Sequence, residues 1–170
     1  LSGALLPFVA NLLANMLGSF VLVDRVGRRP ILVVGMAGMA LSLLVAGAVN
    51  AAGVPGGGSV AIACVILYMM CFGCSWGYGA WLYIPGIRPR RVRGKAGGLA
   101  TFINWGPANL ASAFLTPWML QRKVLGAGGT LLFFGCIAAA VVPAAALFLP
   151  ETKGQPLEDV LPMFAFSGLG

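Results

Sequence analysis

The sequence predicts an all-α, multi-pass transmembrane helical bundle with about five membrane spans. Of its 170 residues, 59% are hydrophobic and 9% are charged, whereas a soluble globular domain has about a quarter charged residues. The apolar residues form runs of about 20 or more, the length that a helix needs to cross a ~30 Å hydrocarbon core. The cations stand in short gaps between these runs, as in the loops of membrane proteins. We therefore expect an integral membrane protein surrounded by the lipid bilayer.

The boundaries of the spans follow from the ends of the apolar runs. The short gaps leave no room for a soluble domain, so residues 1–170 are interpreted as one membrane unit. Several spans contain a proline, which removes a backbone donor and bends a helix, and this favours a transporter or channel over a simple anchor. The predicted spans are residues 2–23, 31–52, 59–84, 96–120 and 130–149, followed by a tail at 150–170.

The positive charges predict the orientation of the chain in the membrane. Three arginines lie in the first gap, five cations lie within residues 88–95, and Lys153 lies in the tail. Only Arg122 and Lys123 fall on the opposite side, so the positive-inside rule places the carboxyl terminus in the cytoplasm and Leu1 outside. A first span that starts outside usually follows earlier helices. We therefore expect the chain to be the carboxyl-terminal part of a larger protein, with partner helices before it.

The composition argues against several other functions. The net charge of +7 does not indicate a nucleic-acid partner, because the cations form no basic face with interleaved aromatic residues. Cys71 and Cys74 have the spacing of a redox or zinc pair, but the chain has no histidine. Helix packing is the better interpretation, and no metal is expected.

Residues 73–77 match the G-x-S-x-G pattern of hydrolases. They lie inside a predicted span of a chain that has no histidine to act as a base, so we expect no enzyme. The two glycines of the pattern instead predict a Gly-x-x-x-Gly face for helix packing.

Four motifs connect the chain with a known family. Residues 24–30 read DRVGRRP between the first two spans, and residues 81–93 combine a tryptophan, a tyrosine, two prolines and several arginines at the end of the third. Asn104 and Trp105 lie in the fourth span, and residues 150–154 read PETKG after the fifth. In order, spacing and predicted side of the membrane, these motifs resemble the sugar porter family of the major facilitator superfamily. The resemblance covers nearly the whole chain.

The resemblance implies a fold and a function. The chain corresponds to helices 8 to 12 of a twelve-helix carrier, in which two six-helix halves rock about a central substrate site. The expected partner is a small sugar or polyol of the hexose, pentose or quinate type, transported by alternating access, and the expected location is the plasma membrane. No resident cofactor is implied, and any proton coupling would use residues outside this chain.

The resemblance also implies substrate-binding residues. Trp81 matches a tryptophan that stacks near the sugar, and Asn104 with Trp105 matches a pair that faces the cavity. An amide offers two donors and an acceptor to hydroxyl groups, and an indole covers the apolar face of a sugar ring. For Trp81 the alternative is an aromatic side chain packed between helices or at the membrane interface.

Charged residues at the predicted cytoplasmic ends match a gating network, which in the family locks the inner ends of the two halves in the outward-facing state. Their alternative role is to set the topology by the positive-inside rule alone. The candidates are Asp24, Arg25, Arg28, Arg29, Arg91, Arg93, Glu151 and Lys153.

The chain departs from the family pattern at two positions. Gly86 stands where the tenth-helix motif has a glutamate, so an acidic partner for the arginines is missing. Tyr78 stands where the family has a proline, which removes a backbone break beside the site. These departures leave open a second function, that of a truncated or degenerate porter or a sugar sensor without transport. Asn11, Asn15 and Asn109 are further polar residues within spans, and they are expected to form interhelical hydrogen bonds.

Overall fold

The computed structural model describes residues 2–22, 26–79, 93–121 and 123–149. Regular structure within these ranges is helical throughout, which confirms the predicted all-α fold class. Two stretches contain a π turn, at Gly18–Leu22 and at Asn104–Ala108. The α-helices are α1 (Ser2–Leu17), α2 (Arg28–Ala52), α3 (Gly57–Cys74), α4 (Arg93–Ile103), α5 (Asn109–Met119) and α6 (Gly126–Phe148).

Three helical segments are long and apolar enough to cross a membrane. They are Arg28–Ala52, Gly57–Gly79 and Gly126–Leu147, with mean hydropathies of 2.3, 2.0 and 2.2. Their positions agree with the second, third and fifth predicted spans. The described parts of the first and fourth predicted spans are also helical. A π turn lies at the end of the described part of the first, and another interrupts the fourth. The boundaries of all five membrane crossings stay predictions.

Helix α2 is the centre of the packed region, because both α6 and α3 lie along it. The contact between α2 and α6 is made through small residues. A Cβ on Gly47 would lie 2.7 Å from Cγ of Leu132, and a Cβ on Gly128 would lie 2.7 Å from the backbone nitrogen of Ala51. Since a side chain does not fit at these positions, glycine allows the two helices to approach closely.

The contact between α2 and α3 combines close packing with one hydrogen bond. A Cβ on Gly38 would lie 2.6 Å from Sγ of Cys71, so the thiol packs against α2, as the sequence predicted. The residues that follow α3 add a polar contact, because Nε1 of Trp76 donates a hydrogen bond of 3.0 Å to the carbonyl of Leu32. This indole therefore ties the helical residues that follow α3 to the first turns of α2.

Helix α1 also packs against α3. A Cβ on Gly73 would lie 2.7 Å from the backbone oxygen of Asn11, and a Cβ on Gly77 would lie 2.9 Å from Oδ1 of Asn15. Both glycines therefore face α1, which confirms the predicted Gly-x-x-x-Gly packing face. Between them, Ser75 is 1% exposed and donates its hydroxyl hydrogen to a carbonyl of its own helix. The serine of the hydrolase-like pattern is a buried packing residue.

The turn between α2 and α3 depends on glycine. Gly53 and Gly56 have positive φ angles of 62° and 80°, a conformation that glycine adopts without steric strain. The connection between α2 and α3 is therefore a short turn at residues 53–56.

The stretch formed by α4, its π turn and α5 differs from the rest of the described structure in its packing. Phe102, Trp105 and Phe114 are exposed by 66%, 65% and 73%. Among the residues of this stretch whose burial is described, Met119 at the far end is the buried one. The stretch therefore presents most of its side chains outward, in contrast to α2.

Candidate functional site

Asn104 and Trp105, two of the predicted substrate residues, begin the π turn Asn104–Ala108. Pro107 lies within this turn, and its ring nitrogen has no hydrogen to donate to a carbonyl one turn earlier. The backbone N–H of Asn109 donates to the carbonyl of Asn104, five residues back, and so closes a wider turn. The proline thus provides a local reason for the widened helix, and π turns of this kind are frequent at functional sites.

The two side chains of this pair are both exposed. The amide of Asn104 can donate and accept hydrogen bonds, and the indole of Trp105 offers one donor together with a large flat face. Phe102 lies one turn earlier, with its ring 3.8 Å from the position of a Cβ on Gly106. An exposed amide and an exposed indole are groups suited to a ligand with hydroxyl groups on an apolar ring, which is the chemistry of a sugar.

Trp81, the third predicted substrate residue, lies outside the described residues. The structure therefore brings Asn104 and Trp105 together on one turn, and the approach of Trp81 to this pair stays a prediction.

A second polar group lies between α1 and α3. Nδ2 of Asn11 donates to the backbone oxygen of Met69 over 3.2 Å, and Nδ2 of Asn15 donates to Oδ1 of Asn11 over 2.9 Å. The predicted interhelical hydrogen bond is therefore confirmed for Asn11, whereas Asn15 bonds within its own helix. Both side chains are half-buried. The spacing of four residues, which places both amides on one helix face, is the sequence signal for this pair.

The backbone of the third predicted span is irregular at Ser75, whose φ and ψ angles are −130° and −80°. The exchange of the family's proline for Tyr78 predicts that a backbone break is lost. This segment nevertheless contains a break. The break lies three residues earlier, where the hydroxyl of Ser75 bonds the carbonyl of Cys71 over 2.5 Å. Such a bond from a serine to the preceding turn bends helices. The hydroxyl of Tyr78 donates to the carbonyl of Cys74 over 2.8 Å next to this break.

Arg29 connects the start of α2 with the end of α6. Its Nη2 donates a hydrogen bond of 2.5 Å to the carbonyl of Ala146, which lies in the last turn of α6. The last carbonyls of a helix have no partner within the helix, and a cation there also interacts favourably with the helix dipole. Arg29 thus caps α6, a role that its position in the DRVGRRP motif does not predict.

The described residues do not test the gating network as a whole. Arg28 is half-exposed at the start of α2, and Arg93 begins α4, where its backbone alone is described. The gating role of both residues and of Arg29 stays a prediction. The remaining candidates, which lie outside the described residues, are Asp24, Arg25, Arg91, Glu151 and Lys153.

Comparison with known proteins gives a consistent family signal. A family model described as "Sugar (and other) transporter" matches residues 3–164. The chain is 36% identical over 144 residues to "D-xylose-proton symporter-like 1" of Arabidopsis thaliana, a match that covers 84% of this chain and 27% of that protein. It is 31% identical over 159 residues to "Facilitated trehalose transporter Tret1" of Drosophila erecta, covering 89% of this chain and 18% of that protein.

A solved structure shows the same similarity in three dimensions. The inward-open conformation of the xylose transporter XylE from E. coli superposes with a TM-score of 0.79 at 30% sequence identity, covering 93% of this chain and 34% of that one. The chain thus spans between 18% and 34% of the length of these three proteins.

Proposed function

Since this chain belongs to the sugar porter family of the major facilitator superfamily, we propose that it forms the carboxyl-terminal part of a carrier for a sugar or sugar-like polyol. The family consists of transporters, which confirms the expectation that the chain is not an enzyme. Its family and its apolar helices also identify an integral membrane protein. The proposal further includes a plasma-membrane location, a cytoplasmic carboxyl terminus, and earlier helices of the same carrier that complete a twelve-helix fold.

The observation that best supports this function is the exposed pair Asn104 and Trp105 on a π turn. The pair lies in the helical stretch that packs least against the other described helices. In a carrier with a central cavity, such a stretch forms part of the cavity wall, and its amide and indole bind the substrate. The named relatives are a xylose-proton symporter-like protein and a trehalose transporter. The proposed substrate class is accordingly a hexose, a pentose or a related polyol such as quinate.

The packing supports movement by alternating access. Helices α2, α3 and α6 meet through glycines at distances that leave no space for a side chain, so they move as one body. The stretch with Asn104 and Trp105 is free to contact a substrate and the other half of the carrier. In the proposed mechanism, Arg28, Arg91 and Glu151 hold the cytoplasmic ends of the two halves together in the outward-facing state and separate in the inward-facing state.

Gly86 favours a second candidate function. The family has a glutamate at this position of the tenth-helix motif, and a glycine removes a carboxylate from the gating network. Without this carboxylate the closed state is less stable. A degenerate porter, or a sensor that binds sugar without moving it, is consistent with this loss.

Uptake of radiolabelled sugars in transport-deficient cells tests the proposal. The cells express either this chain alone or the longer reading frame that contains it, and a hexose, a pentose and quinate are offered separately. We expect uptake with the longer chain alone. Asn104→Ala removes one substrate hydrogen bond of up to about 1.5 kcal/mol and should raise the KM about tenfold.

Asn50→Ala is the matched control. Its amide bonds the carbonyl of Ala46 in its own helix over 2.8 Å, so its replacement should leave the KM unchanged. Absence of uptake with both chains present in the membrane contradicts transport. In that case sugar-dependent tryptophan fluorescence distinguishes a sensor from a degenerate porter, and Gly86→Glu tests whether the carboxylate restores uptake.

A further inference from the structure

Two clefts open beside the first turns of α2. The first has a volume of about 340 Å³ and lies between Leu22, the start of α2 and residues of α3 that include Leu67 and Met70. The second has a volume of about 500 Å³ and lies between α2 and the end of α6, where Val33 and Ala146 form part of its wall. Both volumes fall in the range of ligand sites, roughly 300–1,000 Å³.

The two clefts are separated by a single ridge. Pro30 and Val34 line both of them, and Val34 is 70% exposed. The side chains that form the walls are almost entirely apolar, so neither cleft offers the set of hydrogen-bonding groups that a sugar requires. Asn104 and Trp105 line neither cleft. The clefts are therefore separate from the proposed sugar site.

A positive charge stands at the mouth of the second cleft. Arg29 lines it and is exposed. A guanidinium has five N–H donors, and the hydrogen bond to Ala146 uses Nη2, so donors remain for an anion. The adjoining sequence contains Asp24, Arg25 and Arg28 as its other charged residues. The charges of this loop therefore sum to a positive value, on the side of the membrane that the positive-inside rule assigns to the cytoplasm.

We propose that this ridge binds an anionic glycerophospholipid of the cytoplasmic leaflet, with one acyl chain in each cleft and the phosphate on Arg29. The apolar walls match the acyl chains, and the two clefts on either side of one ridge match a lipid with two chains. Basic pockets between transmembrane helices on the cytoplasmic side bind anionic head groups. The charge-assisted bond between guanidinium and phosphate makes the site selective for an anionic lipid.

Lipid retention by the purified protein tests this proposal independently of transport. The protein in a mild detergent is mixed with dioleoyl phosphatidylglycerol or with dioleoyl phosphatidylcholine, which share their acyl chains, and bound lipid is counted by native mass spectrometry. One molecule of phosphatidylglycerol should be retained in preference to phosphatidylcholine. Lysophosphatidylglycerol, which has one chain, should be held more weakly because it fills one cleft.

Two variants test the binding of the lipid head group and the binding of its acyl chains separately. Arg29→Gln should lower the preference for phosphatidylglycerol about fivefold, as expected for the loss of one cation at a membrane surface. Val34→Trp should block both clefts and abolish retention while the bond between Arg29 and Ala146 stays intact. Its matched control is Leu41→Trp, an exposed position two turns further along α2, and Lys123→Gln is the control for charge; both should retain the lipid.

Several results would overturn the proposal. Equal retention of the two dioleoyl lipids shows that the charge has no role, and retention by Val34→Trp shows that the clefts hold no acyl chain. Retention of neither lipid by the unmodified protein rejects the site. A dimer that Val34→Trp disrupts, without bound lipid, would instead identify a second copy of the chain as the occupant.

Discussion

The packed unit of α2, α3 and α6 and the exposed stretch of α4 and α5 are both apolar, yet they are built differently. In the packed unit, glycines occupy positions where a Cβ would collide with a neighbouring backbone. In the exposed stretch, Gly94, Gly97 and Gly98 have no atom within 4 Å of a Cβ position among the described residues. A glycine-rich apolar sequence therefore serves helix packing in one region and leaves a free surface in the other. This difference is consistent with the proposal that the first region is the scaffold of the carrier and the second is part of its binding wall.

The largest expected difference in stability between the two regions comes from adding one methyl group to a glycine in each. Gly47→Ala places a Cβ against the backbone of α6 and should lower the free energy of unfolding by about 1–3 kcal/mol. Gly98→Ala meets no atom and should raise it by up to about 1 kcal/mol, because alanine has the higher helix propensity. Thermal unfolding of the two variants in detergent measures the difference. A loss of equal size at both positions would show that α4 is packed as tightly as α2.

A smaller difference in stability is expected from replacing two tryptophans by phenylalanine: Trp76, which follows α3 and bonds to α2, and Trp105, which lies in the π turn between α4 and α5. Trp76→Phe loses the hydrogen bond to Leu32 and should lower stability by about 1 kcal/mol. Trp105→Phe should leave stability within about 0.5 kcal/mol of the original, because the side chain is exposed, but it should weaken sugar uptake. Unfolding and uptake are measured on the same two variants. If Trp105→Phe lowers stability more than Trp76→Phe, the assignment of scaffold and wall is reversed.

The smallest effect on stability is expected at an amide that bonds α1 to the scaffold. Asn11→Ala removes the hydrogen bond between α1 and Met69 of α3 and should cost about 0.6 kcal/mol, the average for such bonds within membranes. Asn50→Ala is the comparison, since that amide bonds within its own helix. The midpoint of thermal unfolding should fall for the first variant relative to the second. Equal midpoints would mean that the bond between α1 and α3 adds nothing to their packing.

Several parts of the fold could be predicted because they depend on local sequence. The end of α2 at Ala52 coincides with the predicted end of the second span, since the apolar run ends there. The spacing of Gly73 and Gly77 predicted a packing face, because residues four apart lie on the same side of a helix. In the candidate site, Asn104 and Trp105 are selected by the resemblance to the family, and for Asn104 an amide within an apolar span also needs a polar partner or a water-filled cavity. Their binding role stays a prediction.

Other features could not be predicted, because they depend on how neighbouring backbones approach. Pro107 indicates a bend, but not that the helix widens into a π turn at Asn104. The break at Ser75 occurs where its side chain is buried against α2, and nothing in the local sequence marks that position as a helix end.

The amino-acid sequence alone is enough to identify a helical membrane protein of the sugar porter family. Long apolar runs set the class because the thickness of the bilayer fixes the length of a span, and ordered charged motifs identify the family. Which residues contact one another depends on the tertiary fold. Arg29 caps a helix 117 positions away, and the two clefts share a ridge at Pro30 and Val34. Such contacts arise when helices distant in the chain pack together, and their partners are set by the shape of the helix surfaces rather than by spacing in the sequence.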